Sequence, residues 1–382
     1  MSTAGLRPPI LIATQPRLDD LADNLSRLPR LAVDTESNSL HAYPERVCLV
    51  QVSTDDDDYL IDPLALDSLQ PLAPIFDDPH VEKVFHAAEY DLACLHRDFG
   101  FCVQNLFDTR LACRTLAYPH TGLGDVLAQH FNVHINKRYQ RADWGRRPLP
   151  DDLLDYARLD SHYLLALRRL LAEELEHAGR TAEVQEECEW IAVQAIAETP
   201  RDSGFWRIGR ARQLPPDRAA ALKELYGWRE TEARRLNRPP FKVLSDETLL
   251  ALARALPADP AALDHLAELT DRQRQRYGQD LLEAIARSRT APRPERPVGR
   301  PTDENALARY QMLRQWRKSL AEARHVESDV ILPREVLWEI ARQAPSDSAA
   351  VARLMLPLPW RAGQYSQAIL DVLARAPNGS RP

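Results

Sequence analysis

Shifted by 88 residues, the C-terminal half of this 382-residue chain matches itself without a gap. Leu225 falls on Leu313, Trp228-Arg229 on Trp316-Arg317, Ala233 on Ala321 and Val243-Leu244 on Ile331-Leu332. Glu247 falls on Glu335, Leu249 on Leu337, and Ala253-Arg254 with Pro257 on Ala341-Arg342 with Pro345. Coincident leucines are common, but two Trp-Arg pairs and two Ala-Arg-x-x-Pro endings in register are not. A fixed period of this length means that one supersecondary unit has been duplicated. Its apolar residues keep helical spacing, which predicts two copies of one small all-helical domain, over residues 206–290 and 303–378. Between them, residues 291–302 hold Pro292, Pro294, Pro297 and Pro301 among arginines, the composition of a stiff, extended linker.

The first 200 residues follow another pattern. Short β-branched runs at 30–33, 46–53, 59–61 and 83–86 predict strands. The acidic run Asp55 to Asp58 between two of them reads as a solvated hairpin loop. After His86 the period becomes helical, with Leu92, Leu95 and Phe99 on one face, and further helices are expected near 108–117, 122–131 and 151–176. Strands first and helices after predict an α/β domain over 1–200.

The net charge of -7 hides a division between the halves. Residues 1–200 hold 18 basic and 33 acidic side chains, whereas residues 201–382 hold 31 and 23. A basic rear suits a polyanion, and an acidic front has carboxylates to spare for metal. No run approaches the ~20 apolar residues of a membrane span, and the N-terminus does not read as a signal peptide. The five scattered cysteines form no CxxC and suit reduced thiols, so a cytoplasmic protein with no membrane partner is expected.

Three acidic elements stand out. Asp34 and Glu36, two apart in Val33-Asp34-Thr35-Glu36, share one face of a strand and repel each other unless a cation lies between them. His86-Ala87-Ala88-Glu89-Tyr90-Asp91 runs from a strand end into a helix start, where an acid complements the helix dipole. Tyr156 and Asp160, four apart, stack on one face of the long helix after Pro150, while Asp151, Asp152 and Asp155 read as ordinary first-turn charges. None of the three is specific alone. Together, four carboxylates from a strand, a helix start and a later helix suit two divalent ions ~3.5–4 Å apart. Hard oxygen ligands select Mg²⁺ or Mn²⁺ over zinc. Just before the third element, Lys137, Arg138, Arg141, Arg146 and Arg147 face a single acid, Asp143, which makes these cations candidate contacts to nucleic-acid phosphates.

In this order the elements resemble the three motifs of the DEDD superfamily of 3′–5′ exonucleases, tyrosine subtype. Asp34 and Glu36 stand for the first motif, Asp91 for the second, and Tyr156 with Asp160 for the third. The histidine subtype carries its histidine five residues before the last aspartate, where this chain has Asp155. Three details narrow the resemblance to the ribonuclease D family. They are His86-Ala87, the segment from Gln140 to Leu149, and two repeats similar to the HRDC domain (helicase and ribonuclease D C-terminal), opening at Leu225–Arg229 and Leu313–Arg317.

The resemblance implies an α/β ribonuclease H-like exonuclease domain followed by two all-α HRDC-type helical domains. It implies that Asp34, Glu36 and Asp160 hold the ion that binds the nucleophilic water. Asp34 and Asp91, directly or through water, hold the ion near the leaving 3′-oxygen, and Tyr156 hydrogen-bonds the attacking water. The expected product is a nucleoside 5′-monophosphate, and the expected substrates are precursor tRNA and other small structured RNAs, trimmed by a monomer. Two other functions use the same residues: a 3′–5′ DNA exonuclease, although the chain has no GxxxxGK[ST] loop, and a catalytically silent RNA-binding scaffold.

Overall fold

The described residues of the computed structural model are 6–196, 201–296 and 304–375, with the side chains of Lys137 and of residues 201–203 not among them. Parts of the expected spans 1–200, 291–302 and 303–378 therefore lie outside the described residues. The chain forms two compact units, one of Met1–Ser37, Val47–Ala197 and Pro301–Pro382, the other of Asn38–Arg46 and Glu198–Arg300.

The first unit opens with β1 (Ile10–Ile12), α1 (Gln15–Leu25), β2 (Arg30–Ser37), β3 (Val47–Ser53), β4 (Asp58–Ile61), α2 (Ala73–Asp77), β5 (Glu82–Phe85) and α3 (Glu89–Phe99). It continues with β6 (Leu106–Asp108), α4 (Thr109–Thr115), α5 (Leu123–Phe131), α6 (Asp151–His162), α7 (Leu164–His177) and α8 (Thr181–Ala195). One six-stranded sheet runs in the order β1-β4-β3-β2-β5-β6. β2 is antiparallel to β3 and parallel to β5, so it lies at the sheet's centre, and its register sets Asp34 against Gln51 and Glu36 against Leu49. A bulge between Glu36 and Ser37 ends that ladder. All seven residues of β3 are buried, as in a strand covered on both faces.

The α/β reading holds, with local differences. β2 extends to Ser37, so both acids of the first motif are strand residues. β1 and β6 are only three residues long and were not expected as strands. Helix α1 was also not expected, although Leu18, Leu21, Ala22 and Leu25 bury at helical spacing. The long helix expected over 151–176 is interrupted at Tyr163. Its two halves bury in different places. Leu153, Tyr156 and Ala157 join a cluster with Cys48, Leu60 and Trp144, while Leu164, Leu167, Leu171 and Leu175 join the main core. The acidic hairpin is solvated only at its tip. Asp55 and Asp56 are exposed, but Asp58 is buried, accepts from Ser53 Oγ at 2.7 Å and meets His162 Nδ1 at 2.9 Å.

The two helical repeats are α9 (Pro216–Leu236), α10 (Pro240–Val243), α11 (Asp246–Ala255), α12 (Pro260–Asp264) and α13 (Asp271–Ser288), then α14 (Glu304–Arg324), α15 (Ser328–Ile331), α16 (Arg334–Gln343), α17 (Ser348–Leu354) and α18 (Pro359–Ala374). Every helix start in the second set lies 88 residues after its counterpart. The cores match as well: Leu225, Leu249, Leu252 and Leu281 bury in one, and Leu313, Leu337, Ile340 and Ile369 in the other. Trp228 packs edge-on to Tyr277 at 5.3 Å, and Trp316 packs the same way on Tyr365 at 5.7 Å, so both tryptophans belong to packing. The second repeat shares a unit with the α/β domain, where Trp190 of α8 packs against its core. The first repeat holds the loop after β2. Tyr43 packs on its core, donates its backbone N–H to Asn237 Oδ1 at 3.2 Å, and donates its hydroxyl to Glu230. Among the described residues no helix is long and apolar enough to cross a membrane.

Candidate active site

The central strand β2 carries Asp34, Thr35 and Glu36 toward its end, the start of α3 carries Asp91, and α6 carries Tyr156 and Asp160. Far apart in sequence, these elements converge. Asp34, Glu36 and Asp160 each offer a carboxylate oxygen within 4.8 Å of the others. Asp91 stands outside that trio but close enough for its charge to raise the pKa of Asp34, Glu36 and Asp160. Thr35, between the two acids of β2, donates its hydroxyl to Asp91. Tyr156 donates its hydroxyl to Asp160, the contact that a four-residue helical spacing allows.

The electrostatics is that of crowded anions. Burial, then Asp91, Asp160 and Glu36, holds the Asp34 carboxyl well above the usual carboxylate range. Burial, then Asp160 and Asp91, does the same for Glu36. Burial pushes Asp91 and Asp160 up to about 7, although the hydrogen bonds from Thr35 and Tyr156 pull them back. The Tyr156 phenol is raised by burial and by Asp160, Glu36 and Asp34, so it stays protonated at neutral pH. No lysine or arginine is among the groups shifting these four acids. Hard oxygen donors lacking a resident counter-charge are the donor set a divalent cation fits.

Two supports were not apparent from the sequence. Entry to α3 requires Ala87 in the left-handed region at φ 65°, a conformation that costs an L-residue about 1–2 kcal/mol. Asp108 holds it there. Its carboxylate accepts from the backbone N–H groups of Ala87 (3.1 Å) and Ala88 (2.8 Å), and also caps α4 through Arg110 (2.8 Å) and Leu111 (3.1 Å). The available signal was an aspartate immediately before a helical run. His86 sits beside it with Nδ1 2.9 Å from Thr109 Oγ1, and burial pushes its pKa down to about 4, so it is a neutral, packed histidine.

The second support is the segment before α6, where RNA contacts were expected. Trp144 is buried, and its ring and that of Tyr139 lie 6.1 Å and 5.4 Å from Tyr156, enclosing the phenol. Arg147 corrects the expectation. Its five N–H donors are all committed within the fold: to Asp62 twice at 2.6 Å, Cys48 O at 2.6 Å, Trp144 O at 2.7 Å and Arg146 O at 2.8 Å. It clips the segment down and has no donor left for a phosphate. Arg138 lies over the Tyr139 ring at 4.5 Å, and Arg138, Arg141 and Arg146 are exposed. The Lys137 side chain lies outside the described residues.

A 3′–5′ exonuclease family model matches residues 9–176, and the HRDC domain model matches 218–285 and 306–373. The chain is 34% identical to a ribonuclease D of Gluconacetobacter diazotrophicus over 294 residues, covering 76% of this chain and 75% of that one. It is 31% identical to a ribonuclease D of Granulibacter bethesdensis over 373 residues, covering 96% and 92%. The exosome complex exonuclease RRP6 of Saccharomyces cerevisiae is 34% identical over 267 residues, but only 36% of that longer protein is spanned. Escherichia coli RNase D shares the fold, with a TM-score of 0.76 at 23% identity over 97% of this chain and all of that one. With the converging acids, the paired helical repeats and relatives matched over most of both chains, this protein belongs to the ribonuclease D family of DEDD-type 3′–5′ exonucleases.

Proposed function

We propose that this chain is a metal-dependent exoribonuclease. It works as a monomer on the 3′ ends of precursor tRNA and other small structured RNAs, releasing nucleoside 5′-monophosphates. The observation that carries this reading is the trio Asp34, Glu36 and Asp160, within 4.8 Å of one another and raised in pKa by burial and by neighbouring carboxylates. A pair of Mg²⁺ or Mn²⁺ ions, when bound, supplies an activated water and charge stabilisation for the leaving oxygen. Asp34, Glu36 and Asp160 would hold one ion, and Asp34 with Asp91 the other. Thr35 fixes the orientation of Asp91. Tyr156 donates to Asp160, which leaves its oxygen free to accept from the attacking water and orient it.

RNA is favoured over DNA because the relatives matched over most of their length are ribonucleases by name, and the E. coli structure is described as an exoribonuclease involved in structured RNA processing. The exposed Arg138, Arg141 and Arg146 are suited to phosphates upstream of the cut. No disulfide joins the five cysteines among the described residues, in keeping with a reducing, cytoplasmic setting. The test is a timed digestion of 3′-extended tRNA and of a matched DNA oligomer with Mg²⁺, Mn²⁺ or EDTA. Mononucleotides should leave one at a time from the RNA 3′ end, and none in EDTA. Release from DNA alone, or release that persists in EDTA, would overturn the reading.

A further inference from the structure

The two HRDC repeats share a core and differ on one face. In the second repeat α8 docks against that face, at the start of α18 and beside α15, with Gln364 left exposed. The Arg361 backbone N–H donates to the Glu186 carboxylate at 3.2 and 3.3 Å, and its guanidinium pairs with Glu186 at 3.1 Å and Glu187 at 2.6 Å. Arg324 pairs with Glu183 at 2.7 Å. The residues along this face are Val326, Val330, Trp360 and Gln364. Shifted back by 88, the same positions hold Arg238, Lys242, Arg272 and Arg276.

In the first repeat these four cations line an open cleft of about 250 Å³, and no carboxylate lines it with them. Arg238, Lys242 and Arg272 are exposed and make no ion pair among the described residues. Arg276 lies over the Tyr277 ring at 5.2 Å. The nearby Glu232 is already taken, held by Arg235 at 2.6 and 2.7 Å. The start of α13 is capped by its own Thr270 and Gln273, so the attraction for an anion comes from the side chains. Arg276 also acts on Glu232, but the other three cations have no ion-pair partner among the described residues, and a run of closely spaced negative charges relieves the repulsion within the cluster at several points at once. Tyr277 is buried under Arg276 and against Trp228, so it offers no face for a base to stack on. The chemistry fits a phosphodiester backbone held without regard to sequence.

We propose that this cleft of the first HRDC repeat binds the phosphate backbone of the RNA substrate, while the same face of the second repeat is its anchor on the exonuclease domain. The proposal rests on the exoribonuclease reading. Its test is equilibrium binding of labelled 3′-extended tRNA to the full chain in EDTA, which prevents cleavage, across a salt series. Replacing Arg238, Lys242, Arg272 and Arg276 together with alanine should weaken binding about 10- to 100-fold at low salt. It should also flatten the slope of log K against log salt by about 3, since each phosphate contact contributes ~0.7–0.9. Lys242→Glu changes one exposed, unpaired side chain and serves if the quadruple variant misfolds. It should weaken binding several-fold, and Lys318→Glu on the second repeat should not.

Unchanged affinity and slope in both cleft variants would overturn the proposal, as would an equal loss from Lys318→Glu. Displacement of the RNA by polyglutamate as readily as by unlabelled RNA would point to an acidic protein partner instead. Mononucleotide release by the wild-type protein from a short oligoribonucleotide with Mg²⁺ tests the exonuclease reading separately. Its absence would remove the foundation of the proposal, whereas its presence with unchanged binding in the variants removes the cleft alone.

Discussion

Two groups of carboxylates are withdrawn from water in the same α/β domain, and they are neutralised in opposite ways. Glu183, Glu186 and Glu187 on α8 have Arg324 and Arg361 within 2.6–3.1 Å, and the Arg361 side chain is only 1% exposed. Burial raises the pKa of Glu186 and Glu187, and Arg361 pulls each back. Asp34, Glu36, Asp91 and Asp160 feel burial and neighbouring carboxylates, offset by hydrogen bonds from Thr35, from Tyr156 and from the backbone of Asp91. An anion cluster with a cation built into the fold is a fastening. One without is unstable unless protons or a diffusible ion complete it, and strongly perturbed groups of that kind mark functional sites.

The sharpest break is to neutralise one member of each group. Asp34→Asn or Asp160→Asn should lower turnover ~10³-fold or more, because several kcal/mol of transition-state stabilisation goes with the ligand. The same change should stabilise the metal-free protein above about pH 7, since it removes a charge the fold does not pair; each unit of pKa displacement is worth about 1.4 kcal/mol. Glu186→Gln leaves Arg361 its pair with Glu187, so it should change stability less and leave the exonuclease carboxylates in place. Single-turnover rates and urea melts read both effects. If the Asp variants are less stable than wild type without metal, the two clusters are not different in kind.

Removing the built-in cation comes next. Arg361→Ala takes the guanidinium from Glu186 and Glu187, leaving Glu186 only backbone N–H donors and Glu187 the charge of Arg114, and breaking such a buried pair costs about 3–5 kcal/mol. Adding Glu186→Gln and Glu187→Gln to that variant should recover most of the loss. A triple variant no more stable than Arg361→Ala would mean that packing, not charge, dominates this contact.

The acidic pattern was legible because each motif is short. A two-residue step on a strand and a four-residue step on a helix fix which side chains meet, and Asp34, Glu36, Tyr156 and Asp160 needed no knowledge of distant partners. Arg147 was misread for the opposite reason: its partner Asp62 lies 85 residues away, so a tether was indistinguishable from a free basic loop. Asp108 similarly works across 20 and 21 residues to the turn that sets Asp91. The edge strands β1 and β6, at three residues each, are too short to show alternation. The repeat gave both helical domains through its matches, but the faces that distinguish them lie at its mismatches, such as Arg272 against Trp360.

Tyr156→Phe sharpens the role of the phenol within the unpaired cluster. The ring would still pack against Tyr139 and Trp144, but Asp160 would lose the hydrogen bond that lowers its pKa. Turnover should fall about 100-fold, in the range of a lost positioning contact, while Mg²⁺ still stabilises the protein. The rise of activity with pH should also move upward, because Asp160 now holds its proton to higher pH. Full activity, or loss of the Mg²⁺ effect, would remove Tyr156 from the positioning role.

The smallest effect tests the cluster through protons alone. Asp91 and Asp160 are pushed up to about 7, whereas carboxylates of the unfolded chain titrate near 4. Between about pH 4 and 7 these two groups therefore hold more protons in the metal-free folded protein than in the unfolded chain, so their contribution to stability falls as pH rises through that window. A divalent ion binds the deprotonated form, so its stabilisation follows the opposite course. The Mg²⁺-induced rise in Tm should be slight near about pH 5 and full above about pH 7, where an ion at 100 times its Kd contributes ~2.7 kcal/mol. The α8 cluster already has its cations and should add nothing to that response, so Asp160→Asn should suppress it and Glu186→Gln should not. Thermal melts with and without Mg²⁺ across this range decide the matter. A shift of the same size at every pH would mean that the four acids carry no displaced protons, and that the contrast with α8 does not rest on charge.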